Sequence, residues 1–235
     1  MITKENLKTL LLTLKFEQNG NQFSKRFADS DTFLKVDFDK NLMIYPEDKG
    51  LKIHERQTCN FSANENFVVF ECVHRLLEKG YKPEHIELEP KWKLGHGASG
   101  GRADILIKDN QGYPLVIIEC KTPGSEFNKA WKNTEVHGDQ LFSYAQQIPD
   151  TQFLCLYTSG CTEKDELFCV SHIVSHKDNP KVLAGSRYFC DRFFRASCSK
   201  NQQKSRDRLC LRLPRFVLLR PFRPNKGSKH RYAMT

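Results

Sequence analysis

The sequence has no Cys-x-x-Cys pair among its nine cysteines and no uninterrupted apolar run long enough for a membrane span. The opening segment 5-ENLKTLLLTLKF-16 is too short and too charged to be a span or a secretory leader. An odd cysteine count without a leader argues for reduced thiols in a cytoplasmic setting rather than a disulfide framework. A zinc site on Cys155, Cys161 and Cys169 is the rival reading, but intervals of five and seven residues match no common zinc module. No Gly-x4-Gly-Lys-Ser/Thr loop is present, which excludes a P-loop NTP-driven motor within these residues. No Asn-Pro-Pro-aromatic or Asp-Pro-Pro-Tyr motif is present either, so no adenine methyltransferase site is expected. Glutamate is absent after Glu166.

That last absence marks a change of character. Residues 1–185 carry 23 Lys and Arg against 26 Asp and Glu, whereas residues 186–235 carry 14 against 2. The overall net charge of +9 is therefore an average over two unlike parts. The Arg:Lys ratio moves from 4:19 to 10:4 across the same point. Residues 186–235 are expected to be a basic tail, either a disordered nucleic-acid-binding arm or an out-of-frame end without selected structure.

Before the tail, hydrophobic periodicity suggests an α/β protein. Leu7, Leu10, Leu11 and Leu14 fall on one face of a helix near 4–15. The segment 32–46 alternates around Asp39-Lys40-Asn41 and reads as two short strands and a turn. A strong helix is expected over 65–79, capped by Asn64 and stopped by Gly80. Residues 86–96 read as extended, followed by the glycine-rich loop 95-GHGASGG-101. Two strands, 102-RADILIK-108 and 115-LVIIECK-121, flank the turn 109-DNQGYP-114 and should pair as a hairpin. A loop is expected over 122–135, a helix over 138–148, and strands over 152–158 and 166–174. The chain divides into a lead-in at 1–30, one domain at 31–180 and the tail.

The strand 115–121 ends in Glu119-Cys120-Lys121, an unusual finish for an apolar run. If Lys108 faces Leu115, then Asp104 faces Glu119. Alternation places Glu119, Lys121 and Asp104 on one open face, with Ala103, Ile105, Ile107, Val116, Ile118 and Cys120 on the other. Two adjacent carboxylates repel unless a cation lies between them, and hard oxygen donors suit magnesium or manganese. The Cys120 backbone carbonyl is a third candidate ligand. Lys121 is placed to orient or deprotonate water, or to stabilise charge on a phosphate. The alternative is a surface hairpin with a Glu–Lys salt bridge.

Asp104, fourteen intervening residues, then Glu119-x-Lys121, followed by 140-QLFSY-144, resembles the PD-(D/E)xK nuclease superfamily. The branch it is most similar to carries a Gln-x-x-x-Tyr motif and includes the N-terminal nuclease domain of type I restriction R subunits and of single-chain restriction-methyltransferase proteins. The resemblance covers about residues 30–175. It implies a restriction-endonuclease-like mixed central sheet flanked by helices, and magnesium-dependent DNA cleavage within a restriction system. Asp104 and Glu119 then match the metal carboxylates, Lys121 the catalytic lysine, and Gln140 and Tyr144 the helix motif. Many members add a carboxylate from the preceding helix; the candidates are Glu65, at its start, and Glu71, mid-helix among polar positions. Ala103 stands where the superfamily often has proline. Arg102 is placed to reach either a DNA phosphate or a carboxylate; His96 reads as a loop histidine, with a DNA contact the alternative, and His137, before the Gln140 helix, has the same two readings. The implied partners are DNA and the modification and specificity subunits of a restriction complex, with no membrane. The rivals are an inactive or truncated DNA-binding or subunit-docking remnant, and a repair nuclease on the same fold.

Overall fold

The computed structural model describes residues 1–27, 31–91, 102–137, 148, 150–162 and 166–175. Residues 138–147 of the helix expected over 138–148, with Gln140 and Tyr144, the glycine-rich loop with His96, and the basic tail lie outside the described residues.

The first helix, α1 (Lys4–Thr13), buries Leu7, Leu10 and Leu11. A four-stranded antiparallel meander follows: β1 (Glu17–Asn19), β2 (Gln22–Phe27), β3 (Thr32–Asp37) and β4 (Leu42–Ile44), in that order. The β3–β4 turn follows the expectation: Asp37 Oδ1 accepts the N–H groups of Asp39 and Lys40, both at 3.0 Å, and Asn41 takes a left-handed φ of 51°. The β1–β2 hairpin follows α1 within residues 1–30, where only a lead-in is expected. β2 pairs with β3 across residue 30, from Gln22 opposite Asp37 to Phe27 opposite Thr32. Phe23, Phe27, Leu34, Val36 and Met43 carry this sheet into the same core as α1.

The larger sheet has six strands: β5 (Lys52–Ile53), β6 (Ile86–Leu88), β7 (Ile105–Lys108), β8 (Pro114–Cys120), β9 (Phe153–Cys161) and β10 (Leu167–Ser175). Their order is β10-β9-β8-β7-β6-β5. β5–β6 and β8–β9 run parallel and the other neighbours antiparallel, so the sheet is mixed. β7 and β8 form the expected hairpin. Asp109 Oδ1 accepts the N–H groups of Gln111 and Tyr113 at 2.9 Å, and Gly112 supplies the positive φ the turn needs. Ile105 pairs with Ile118 and Ile107 with Val116. The pairing then slips, and Lys108 faces Pro114 instead of Leu115.

Helix α2 (Asn64–Glu78) packs on one face of this sheet and α3 (Ser125–His137) lies beside β9 on the other. Ala63, not Asn64, caps α2; Asn64 is its first helical residue. Its C-terminus closes as expected at Gly80: the Gly80 N–H donates to the Leu77 carbonyl and the Tyr81 N–H to the Leu76 carbonyl, with φ of 86° at Gly80. α2 buries Phe67, Val68, Val69, Phe70, Cys72, Val73, Leu76 and Leu77 against Ile105, Ile107, Val116 and Ile118 in the main core. α3 replaces the loop expected over 122–135. It presents Phe127, with Ala130 and Trp131, to a second cluster containing Leu106, Ile117, Leu154 and Leu156. Ala103 joins this second cluster, opposite to the expected side, because the chain bends at Asp104 before regular alternation begins. Among the described residues, no helix is long and apolar enough to cross a membrane.

Candidate functional site

The strand order places the site at one end of the central hairpin. Extending the Ile105–Ile118 register by one residue sets Asp104 opposite Glu119. The Cys120 N–H donates to Asp104 Oδ2 at 2.7 Å, fixing that carboxylate against β8. The Lys121 N–H donates to the Tyr157 carbonyl at 2.9 Å, so strand pairing persists to the end of the Glu-x-Lys segment. The Lys121 ammonium donates to Glu119 Oε1 at 2.8 Å and lies 3.3 and 3.4 Å from the two Glu65 oxygens. Two carboxylates thus contact the ammonium, and Asp104 acts on it electrostatically.

These groups do not lie on an open face. Asp104 is 7% and Glu119 5% exposed. Burial, opposed in part by the Lys121 charge and the Cys120 N–H, lifts the Asp104 carboxyl to about 6. Burial and the Asp104 charge push the Glu119 carboxyl up to about 8 despite Lys121. Burial alone would lower the Lys121 ammonium, but Glu119, Asp104 and Glu65 together hold it above its ordinary value. Glu119 Oε2 is buried without a hydrogen-bond partner. An orphaned carboxylate oxygen beside a second carboxylate suits a small divalent cation, because an added positive charge relieves both the desolvation and the repulsion. Asp104 and Glu119 supply two hard oxygen donors of that kind. Among the described residues no three His, Cys, Asp or Glu side chains are already arranged around a common point to hold an ion. Cys120 turns its thiol into the main core, away from Glu119.

Glu65, the preferred candidate by sequence, and Glu71 separate by position. Glu65 is in the first turn of α2 and contacts Lys121. Glu71, expected among polar positions, is wholly buried. It accepts the Tyr157 hydroxyl at 2.5 Å and Arg75 Nη2 at 2.5 Å, while Arg75 Nε also reaches the Tyr157 oxygen at 3.1 Å. Mid-helix polarity was misleading because α2 is enclosed nearly all round. The signal that could have exposed the pairing is Arg75, four residues on from Glu71.

Arg102 Nη1 lies 3.3 Å from Glu55 Oε2 and 3.9 Å from Glu89 Oε2, so it stands among carboxylates. Lys91, bridged to Arg102 through the backbone, also pairs with Glu55. Glu55 and Glu89 stand in no motif that marks them in the sequence. Cys155 is buried in the main core, with Cys161 and Cys169 packed against it.

A mixed sheet with a helix on each face, and an Asp/Glu-x-Lys cluster where its central hairpin ends, defines a restriction-endonuclease-like α/β domain. Residues 62–160 match the family model described as the type I restriction enzyme R protein N terminus. The matched stretch runs from the lead-in of α2 through most of β9 and is similar to the N-terminal region of those R proteins. No curated protein matches the chain.

Proposed function

We propose that this domain hydrolyses DNA phosphodiester bonds as the nuclease module of a restriction system in the cytoplasm, with DNA and the modification and specificity subunits as its partners. The observation that carries this reading is the convergence of Asp104, Glu119, Glu65 and Lys121, with a buried Glu119 oxygen left unpaired. Asp104, Glu119 and the Cys120 carbonyl would hold magnesium or manganese, with Glu65 as the further carboxylate. When bound, such an ion supplies Lewis-acid charge to a phosphate oxygen and lowers the pKa of bound water. Lys121 has a raised affinity for its proton, so it acts as a charged donor to water or phosphate more readily than as a base. Gln140 and Tyr144 would place DNA or support the site, on the family pattern. Arg102, held by Glu55 and Glu89, would reach a phosphate only after exchanging Glu55.

The test separates the roles. Lys121→Met should abolish cleavage of plasmid DNA, with partner subunits supplied, while calorimetry still detects manganese binding. Glu119→Ala should abolish both. A Lys121→Met protein that cuts as well as wild type refutes the assignment and reduces the Glu-Cys-Lys segment to a salt bridge.

A further inference from the structure

A buried carboxylate outside the proposed chemistry stands between its two halves. Glu89 is fully buried and follows β6, on the strand that neighbours β7. Its φ of 54° lies in the left-handed region, an unfavourable backbone for a side chain of this length. Such strain persists where the surroundings over-determine it, and it concentrates at functional sites.

The surroundings are specific. The Glu89 N–H donates to the Asp104 carbonyl at 2.9 Å. Its carboxylate accepts the Thr58 N–H at 2.5 Å, the Thr58 hydroxyl at 2.6 Å and the Gln57 N–H at 3.1 Å. The Gln57 carbonyl accepts Asn66 Nδ2 at 3.0 Å. Asn66 follows Glu65 on α2. A continuous path therefore runs from Asp104, through Glu89 and the 57–58 segment, to the helix start that carries Glu65. Only a charged acceptor meets all three donors of that segment, since an amide would set its own N–H₂ group against one of them. Glu87 offers a contrast two residues earlier. It is also buried, but it pairs with Lys108 at 2.5 Å, His54 at 3.2 Å and Lys52 at 3.6 Å, away from the Asp104 cluster.

We infer that Glu89 is a positioning residue: it sets Asp104 and the Glu65 end of α2 in register around Lys121. The functional meaning of that register rests on the nuclease reading, but the register itself does not. Glu89 touches neither the proposed metal nor the phosphate. It acts through Asp104 and through the 57–58 segment.

The experiment follows amide hydrogen exchange in the ¹⁵N-labelled full chain with chelator present. The Cys120 amide reports on the Asp104 carboxylate, and the neighbouring Lys121 amide, bonded to Tyr157, is the internal reference. Glu89→Gln should speed Cys120 exchange relative to Lys121 by about tenfold, the loosening expected when one charged hydrogen bond loses its geometry. Thr58→Ala removes only one of the three donors, so it keeps the test open if Glu89→Gln fails to fold; it should give a smaller shift of the same sign. Glu87→Gln should lower thermal stability and leave the ratio unchanged. An unaltered ratio in Thr58→Ala and in folded Glu89→Gln, or an equal shift in Glu87→Gln, overturns the inference. Manganese titration of wild type is run alongside. If wild type binds none, the nuclease reading fails while the exchange ratio still decides the role of Glu89.

Discussion

Raising pH should destabilise the metal-free protein, and the structure says where and by how much. Glu119 has a folded pKa of about 8 against an ordinary 4.5, so the folded protein holds a proton that the unfolded chain has released between those values. Stability from this group is complete below about pH 4.5 and is lost as pH rises through 8. Other buried groups titrate in different windows. His74, lowered by burial to about 4, gives the opposite slope between about 4 and its ordinary 6.5. Asp104, raised to about 6, has lost its contribution before pH 6.5 is well passed. From about pH 6.5 to 8 the slope therefore belongs mainly to Glu119, at ~1.4 kcal/mol per pH unit for one proton. Over that interval the loss is about 2 kcal/mol, or ~4–8 °C in Tm for a chain of this size. The assay is thermal unfolding by circular dichroism at half-unit pH steps in the presence of chelator. Glu119→Gln keeps the volume and removes the titration, so its profile should be flat where wild type falls. Equal slopes in the two proteins would refute the assignment of the shared proton to Glu119. Saturating manganese should reverse the wild-type trend, since the ion requires the deprotonated carboxylates.

Two further predictions concern the frame around the site. Tyr157→Phe removes the hydroxyl shared by Glu71 and Arg75; urea unfolding should show a loss of ~1–3 kcal/mol with an unchanged slope, and manganese binding should persist. An unchanged midpoint would show that the buried triad contributes nothing net. Gly160→Ala places a Cβ 2.9 Å from Phe168 Cζ and 3.0 Å from Pro123 Cγ, so overpacking should cost ~1–3 kcal/mol, read as a lower Tm; an unaltered Tm would show that β10 and the 122–124 turn yield freely.

The parts that were legible in the sequence are those where local chemistry and burial agree. β8 was visible because an apolar run ends abruptly in two charges, and its hairpin because Asp109 and Gly112 supply a turn between alternating segments. The pairing slip at Lys108 was not visible, since it arises from how the turn joins the strands. α3 was missed because Thr122-Pro123-Gly124 opens it and six of its residues from Ser125 to Asn133 are polar. Its stripe of Phe127, Ala130, Trp131 and Thr134 nevertheless has the i, i+3, i+4, i+7 spacing of a helix face. The β1–β2 hairpin escaped because only Phe23 and Phe27 mark its inner side. At the site, Asp104, Glu119 and Lys121 were readable as neighbours from alternation alone. Their burial was not, because it depends on how the rest of the chain packs around the strand ends.

The contrast between Glu65 and Glu71 shows how one helix serves both ends of this arrangement. Six residues separate them, about nine ångströms along the axis and well over a full turn around it. They cannot address the same group. Glu71, with Arg75, grips the Tyr157 hydroxyl on β9, while Glu65 reaches Lys121 at the end of β8. The Tyr157 carbonyl also accepts the Lys121 N–H, so a single β9 residue receives the clamp on its side chain and the strand end on its backbone. Sliding α2 by one turn would break the Glu71–Tyr157 pairing and carry Glu65 away from Lys121 together. The buried triad therefore does for the height of α2 what Glu89 does for its lead-in. The charged cluster at the end of β8 is assembled from β7, β8 and α2, and its geometry is held by two buried carboxylates that do not belong to it.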